Sequence, residues 1–348
     1  MNTDEQYMQR CFELAVLGSG HVAPNPMVGS VIVLRGKIIG EGYHKAYGKA
    51  HAEVNAINSV KDKSQLSEAT LYVNLEPCSH QGKTPPCADL IIQHQLKRVV
   101  ICNSDPFEKV NGKGIERLKA AGIDVKTNVL EMHGRWLNRR FFTFHNKQRP
   151  YIILKFAQTN DGFMDANRDY DSDEMPLKIT RTEADRLSHK WRSEEAAILV
   201  GINTVLLDNP SLTTRKWAGK NPLRLIIDPD LQITADRKIT NDENHTWIFN
   251  ALKNDYCENN LCYIQINDPA DFQNEILAYL HQKGIQSVIV EGGATTIRRF
   301  IESSLWDEAR IFTGTMRIGA GVHSPEITGK RIVHEHIGED LLQFYVPD

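Results

Sequence analysis

The residues best suited to chemistry stand in two short runs. His51-Ala-Glu53 comes first, then Pro77-Cys78 and, after the eight residues SHQGKTPP, Cys87. One imidazole and two thiolates form a donor set for zinc, and three protein ligands leave the fourth position of a tetrahedral ion open for water. Two thiolates and a neutral imidazole also cancel the ion's charge. Glu53 lies two residues from His51, about 200° around a regular helix, so it is no fourth ligand there. At a helix N-terminus, however, both side chains converge beyond the helix end. The second ligand loop also feeds a predicted helix, so two positive helix ends face the thiolates. Prolines at 77, 85 and 86 stiffen that loop. The alternative is a closed structural site, with His44 or His80 as fourth ligand and Glu53 as a surface carboxylate.

These side chains need elements to hold them. Tyr7/Met8, Cys11/Phe12 and Ala15/Val16 recur at helical spacing. Val28–Leu34 and Lys37–Ile39 read as strands turning at Arg35-Gly36. A helix runs from near His51 through AEVNAINSV, followed by a strand at 69–75, a helix at 88–96, a strand at 98–102 and a helix at 114–122 ended by Gly122. Such alternation predicts a sheet covered by helices on both faces and accounts for about the first 146 residues. RRFFTFHNKQRP (139–150) ends the pattern. A second α/β series follows, with strands at 151–156, 196–201, 223–228, 246–249, 261–266, 287–292 and 309–313, and helices across 181–193, 271–283 and about 295–303. The boundary falls near Asn146–Lys147, giving domains 1–146 and 147–348. No internal repeat relates the halves, so two different folds are expected.

Composition narrows the class. A length of 348 residues favours two domains, and 41% apolar with 24% charged residues excludes a disordered or collagen-like chain. The balance of 41 Lys+Arg against 44 Asp+Glu, net −3, with no long basic run, does not suggest a nucleic-acid or anionic-membrane surface, although a local patch is averaged out in such a count. No apolar stretch approaches the ~18 residues needed to span a bilayer, and the acidic, amphipathic MNTDEQYMQRCFELAVLG is not a secretory signal. Six cysteines at 11, 78, 87, 102, 257 and 262 are too sparse for a disulfide scaffold. The expectation is a cytoplasmic protein whose cysteines are free, metal-bound or catalytic, with Cys11 and Cys102 as core thiols.

The H-x-E and P-C…C arrangement resembles that of zinc nucleobase deaminases, whose glutamate takes a proton from water and passes it to the ring nitrogen and leaving amine. Their common pattern closes with C-x-x-C, unlike this one. With PNPMVGSVIV (24–33), GYHKAYGKAHAEVNAI (42–57) and LEPCSHQGKTPPC (75–87), the first half resembles the deaminase half of the bifunctional riboflavin-biosynthesis deaminase/reductases almost continuously. The resemblance implies a cytidine-deaminase-like α/β/α sandwich, Zn2+ on His51, Cys78 and Cys87, and Glu53 as proton shuttle. It also implies a substrate pocket lined by Asn25, His44, Lys83 and Asp105. Singly these have ordinary readings, Asn25 as a turn residue between prolines and Lys83 as a solvated loop charge.

The best local feature of the second half is SVIVEGGATTIRRF (287–300), a buried strand, a double glycine, then Thr295/Thr296 opening a helix whose N–H groups suit an anion. A Gly-Gly is equally an ordinary tight turn, and no G-x-G-x-x-G appears. LKFAQTNDG (154–162), HKWRSEEAAILVGINTVLLDNPSLTTR (189–215) and NPLRLIID (221–228) resemble the reductase half of the same family. That implies a dihydrofolate-reductase-like α/β domain. NADPH contacts would come from Ala157, Thr204, Asp208 and the loop from Gly293 through Ala294, Thr295 and Thr296 to Arg299. Substrate contacts would come from Arg192, Leu212, Arg215 and Glu291. Guanidinium groups bind phosphate bidentately, which suits the arginines, although Arg192 alone reads equally as a helix-surface charge. Two departures stand out. The family's Ser-x-Trp ahead of Ile179-Thr180 is here Pro176-Leu177-Lys178, which removes an aromatic cofactor contact and leaves Lys178 either paired with a cofactor phosphate or solvated. Pro229 replaces a serine after Asp228. The insertion ANRDYDSDEM (166–175) is acidic and expected to be mobile.

The expectation is a two-step enzyme that uses zinc and NADPH on a small phosphorylated pyrimidine. The first half removes the 2-amino group of 2,5-diamino-6-(5-phosphoribosylamino)pyrimidin-4-one, and the second reduces the ribosyl chain to ribityl. Hydride transfer needs cofactor and sugar in register and no protein nucleophile, in keeping with a second half that shows no acid–base cluster of its own. A homo-oligomer is expected, with neither nucleic acid nor membrane as partner. One rival is a deaminase whose second half reduces nothing and serves as a substrate-binding or assembly module. Another is an RNA-editing deaminase, against which the balanced charge counts.

Overall fold

The structure, a computed structural model, describes residues 3–79, 85–107, 110–170, 174–240, 244–268 and 271–348. The chain divides into two compact units, Met1–Gln148 and Arg149–Asp348.

The first unit runs α1 (Thr3–Val16), β1 (Gly29–Leu34), β2 (Lys37–Tyr43), α2 (Ala52–Ser59), β3 (Thr70–Leu75), α3 (Cys87–Gln93), β4 (Arg98–Asn103), α4 (Lys113–Ala120), β5 (Asp124–Lys126), α5 (Glu131–Leu137) and α6 (Arg139–Lys147). Its strands form one sheet in the order β2-β1-β3-β4-β5. The β1–β2 and β1–β3 pairs are antiparallel, and β3, β4 and β5 are parallel. Alternating apolar residues send successive side chains to opposite faces. Val31, Val33, Tyr72, Val100 and Cys102 pack with Met8, Cys11 and Phe12 of α1. On the other face Ile32, Leu71, Val73, Val99 and Ile101 pack with Ala52, Ala56 and Ile57 of α2 and Ile91 of α3. Each large apolar side chain so buried is worth roughly 1.5–3 kcal/mol, and a one-residue slip would expose the whole set. Helix α2 lies directly on β2, where a Cβ at Gly42 would meet Ala56 N at 2.3 Å and Ala52 O at 2.6 Å. That close approach fixes the helix end carrying His51.

The second unit runs β6 (Tyr151–Gln158), β7 (Phe163–Asp165), α7 (Thr182–Glu194), β8 (Ala197–Gly201), α8 (Ile202–Asp208), β9 (Leu223–Ile227), β10 (Thr246–Asn250), β11 (Tyr256–Glu258), β12 (Leu261–Gln265), α9 (Phe272–Gln282), β13 (Ser287–Val290), α10 (Ala294–Glu302), β14 (Glu308–Thr313), β15 (Val322–His323), β16 (Lys330–Ile337) and β17 (Asp340–Val346). The main sheet has the order β11-β12-β10-β9-β8-β13-β6-β14-β17-β16. Its centre is parallel from β12 to β14, and β17 closes it antiparallel to β14. Here too the strands bury both faces: Leu154, Leu199 and Val290 pack against α9 and α10, Ile153, Val200 and Ile289 against α7 and α8. Purely apolar strands without alternation are the signature of a sheet covered on both sides.

Three expectations change. Residues 139–147 continue the first unit as α6, whose Phe141 and Phe142 join its core, and the division falls after Gln148; one adjacent aromatic pair carries too little periodicity to reveal a helix. The half-exposed hairpin β16–β17 was not foreseen. Cys257 and Cys262 form a disulfide, because the β11–β12 turn sets them directly opposite each other. They are therefore neither free nor metal-bound.

Candidate active sites

In the first unit both ligand runs lie at helix N-termini. His51 is the N-cap of α2, and Cys87 opens α3. His51 Nδ1 lies 3.6 Å from Cys78 Sγ and 3.3 Å from Cys87 Sγ, and one donor atom from each of the three falls within 4.8 Å of the others. Tetrahedral coordination at zinc bond lengths separates nitrogen from sulfur by about 3.6 Å, so the donor set fits that ion. The Cys87 N–H donates to Cys78 Sγ at 3.3 Å. The Cys87 thiol and His51 hold the Cys78 thiol down at about 4, while the neighbouring anion and burial push Cys87 well up. The Cys78 thiolate raises His51 to about 9.

Glu53 stands in the first turn of α2, 3% exposed. Burial raises its carboxyl to about 7. His44, also buried, contacts the His51 ring edge-to-face at 5.5 Å. Its Nδ1 faces the Ala50 carbonyl at 3.1 Å, which only accepts, so Nδ1 carries the proton. Its Nε2 then accepts from Asn25 Nδ2 at 3.1 Å, and burial favours this neutral form. Asn25 and His44 thus stand together beside the metal ligands. Asp105 follows β4, and burial raises its carboxyl to about 7. Lys83 lies outside the described residues.

Sequence reasoning missed Glu76, which precedes Pro77-Cys78. It is buried and accepts four backbone N–H groups: Asp105 and Gly112 on one oxygen at 3.1 and 3.0 Å, Gly114 and Ile115 on the other at 2.9 and 3.2 Å. It therefore ties the Cys78 loop to the loop holding Asp105. A carboxylate beside the P-C motif was the only signal.

In the second unit the expected cofactor residues gather at the carboxyl ends of adjacent parallel strands, where open α/β sheets bind ligands. Ala157 lies on β6, Thr204 on α8 after β8, and Gly293 caps α10 after β13, followed by Ala294, Thr295 and Thr296. The Gly293 N–H donates to Thr204 Oγ1 at 3.0 Å, and a Cβ at Gly201 would meet Thr296 Oγ1 at 2.4 Å. The two strand-to-helix turns are locked together. Asp208 ends α8 and pairs with Arg168.

The expected substrate residues are arranged differently. Arg192 and Glu291 bind each other bidentately, at 2.8 and 2.7 Å, and Lys155 approaches Glu291 at 3.6 Å. Leu212 is buried with φ +53°, and Arg215 bonds Thr213 Oγ1 at 3.1 Å. Burial and the charge of Arg192 lower the Arg215 guanidinium. His189 Nδ1 accepts the Arg215 backbone N–H at 3.1 Å. Burial and the cations Arg192 and Arg215 hold it neutral, at about 4. The second unit does assemble a cluster of titratable groups, contrary to expectation. Its members come from β6, α7 and the loops after α8 and β13, so no short motif shows them.

Two chemistries are thus housed in one chain, a metal-dependent deaminase unit and a dinucleotide-dependent reductase unit. Residues 1–103 match the family model for the cytidine and deoxycytidylate deaminase zinc-binding region, and residues 150–340 match that for the RibD C-terminal domain. The riboflavin biosynthesis protein RibD of Aquifex aeolicus is 38% identical, with 98% of each chain covered. That of Bacillus amyloliquefaciens is 40% identical over 94% of this chain and 88% of its own. Among solved structures, RibD of Acinetobacter baumannii gives a TM-score of 0.89 at 30% identity, with 99% of each chain covered. A diaminohydroxyphosphoribosylaminopyrimidine deaminase/5-amino-6-(5-phosphoribosylamino)uracil reductase from Thermotoga maritima gives 0.87 at 34% identity over 99% of each chain. The chain belongs to the RibD family of bifunctional riboflavin-biosynthesis enzymes. It is a zinc-dependent deaminase and an NADPH-dependent reductase, and a purely binding role for its second unit is not favoured.

Proposed function

We propose that the first unit deaminates 2,5-diamino-6-(5-phosphoribosylamino)pyrimidin-4(3H)-one and that the second reduces the product to 5-amino-6-(5-phosphoribitylamino)uracil. The observation that carries this reading is the convergence of His51, Cys78 and Cys87 beside the buried Glu53. His51, Cys78 and Cys87 would hold zinc, which when bound would acidify water and so supply a nucleophile at neutral pH. Glu53 would accept one proton from the attacking water and pass it to the ring nitrogen, then take the second proton from the new hydroxyl and deliver it to the amine as ammonia leaves. A carboxyl near 7 suits both giving and taking. Asn25, held by His44, orients the pyrimidine through its free amide oxygen and remaining N–H. Asp105 meets its polar edge, and Lys83 belongs to the same substrate-binding set.

NADPH supplies hydride in the second unit. Ala157, Thr204, Asp208 and the first turn of α10 from Gly293 to Thr296 hold the dinucleotide, and the helix N-terminus there favours its phosphates. Arg215 takes the substrate phosphate. Leu212 packs beside it, and the Arg192–Glu291 pair shapes the floor on which the sugar rests. The functional boundary follows the division near Asn146–Arg149. Phosphorylated pyrimidine and NADPH are both membrane-impermeant, which supports a cytoplasmic enzyme. Among the described residues no helix is long and apolar enough to cross a membrane. Strand β16 ends the large sheet with an open edge, which supports a homo-oligomer; sedimentation checks it. Separate substitutions test the assignment: Cys78→Ser abolishes deamination while the deaminated intermediate still oxidises NADPH, and Arg215→Ala lets that intermediate accumulate.

A further inference from the structure

The insertion at 166–175 contains one side chain that is buried more deeply than its acidic surroundings suggest. The Arg168 side chain is 3% exposed, and a guanidinium has five N–H donors. All five are used. Nε donates to Asp165 Oδ2 at 2.9 Å, and Nη2 donates both to Asp165 Oδ2 and to Asp208 Oδ1. Nη1 donates to the Leu207 carbonyl at 3.2 Å and the Glu174 carbonyl at 3.3 Å. Asp165 in turn accepts the backbone N–H groups of Ala166 and Leu177 at 3.0 and 3.1 Å. One guanidinium therefore bridges β7, both ends of the insertion and the last turn of α8. It does so beside Pro176-Leu177-Lys178, where the family's tryptophan is missing.

We propose that Arg168 is a positioning residue for the dinucleotide, holding the Asp208 carboxylate in the place from which it meets the cofactor. The proposal rests on Asp208 being a cofactor contact. Without the guanidinium, the Asp165 and Asp208 carboxylates face each other across the gap it leaves. They then repel one another and the anionic dinucleotide alike. Lysine cannot substitute, since an ammonium has three donors and no fork to span two carboxylates and two carbonyls.

The test is NADPH binding to the full-length protein, followed by titration calorimetry in the absence of pyrimidine. Arg168→Ala is expected to weaken binding about tenfold or more, since bonds to charged groups are lost. Arg168→Lys falls between it and wild type, and a matching far-UV spectrum shows that this variant folds. Asp208→Asn weakens binding on its own. The double variant Arg168→Ala/Asp208→Asn binds no worse than Asp208→Asn, because the contact that Arg168 positions is already neutral and Asp165 then faces an amide donor in place of a second carboxylate. If Arg168→Ala binds NADPH like wild type while Asp208→Asn does not, the positioning role is overturned. If the double variant loses the sum of both effects, Arg168 acts on folding alone and the proposal also falls. Wild-type binding by Asp208→Asn instead removes the cofactor role of Asp208, and the proposal with it.

Discussion

Replacing Glu291 by Gln should destabilise the second unit by about 3 kcal/mol. Glu291 is 8% exposed, with Arg192 and Lys155 against it. Burial disfavours its charge, yet the cations outweigh that penalty and bring its carboxyl from 4.5 to about 2. At about 1.4 kcal/mol per pH unit, that lowering corresponds to about 3 kcal/mol favouring the folded state at neutral pH. Removing one partner of a buried ion pair costs ~3–5 kcal/mol by independent reckoning, so the two figures agree. The amide of glutamine keeps one acceptor but turns donors toward the guanidinium and leaves two buried cations uncompensated. For a unit of roughly 200 residues, this should lower Tm by ~6–12 °C, read by calorimetry, with deamination at 25 °C unaffected. Because the folded carboxyl is depressed, its contribution is complete above 4.5 and is lost as the pH falls towards about 2. Wild type should therefore lose stability across that window more steeply than the variant. A variant that melts within ~2 °C of wild type would refute the paired geometry.

Three further outcomes follow from the sites. Glu53→Gln preserves size but cannot relay protons, so deamination should fall roughly 10²–10⁴-fold while metal analysis still finds about one zinc per chain; loss of the zinc would make Glu53 a ligand. Chelation should release the metal from His51, Cys78 and Cys87 and stop deamination, with NADPH oxidation on the deaminated intermediate continuing; an equal loss of both activities would contradict their separation. His189 is held at about 4 against an ordinary 6.5, so its stabilisation is complete above 6.5 and is lost as the pH falls through about 4. His189→Asn should flatten that part of the second unit's stability profile, measured by chemical denaturation.

The metal centre was legible because its chemistry is local. His51 and Glu53 share one helix end, and Cys78 and Cys87 share one loop, so spacing alone brings the donors within reach. The strands of both sheets were legible for a similar reason, since two-faced burial writes itself as short apolar runs such as ATLYVNL and SVIVEG. What escaped depends on distant pairs. Glu76 gains its meaning only from the N–H groups of Asp105, Gly112, Gly114 and Ile115, and Arg168 only from Asp208, some forty residues on. The pairing of Arg192 with Glu291 was not legible either, because the two lie 99 residues apart in sequence. The hairpin β16–β17 was hidden by its mixed polar and apolar sequence, because an edge strand with little burial carries no clean alternation.

The central claim is that one chain performs deamination and then reduction. Incubating the zinc-loaded protein with 2,5-diamino-6-(5-phosphoribosylamino)pyrimidin-4(3H)-one, with and without NADPH, and following products by mass spectrometry tests it most directly. Without NADPH the product should carry an oxo group in place of the amino group and go no further. With NADPH it should gain two hydrogens as well. Unchanged substrate under both conditions, or reduction of the ribosyl chain with the amino group intact, would contradict the account.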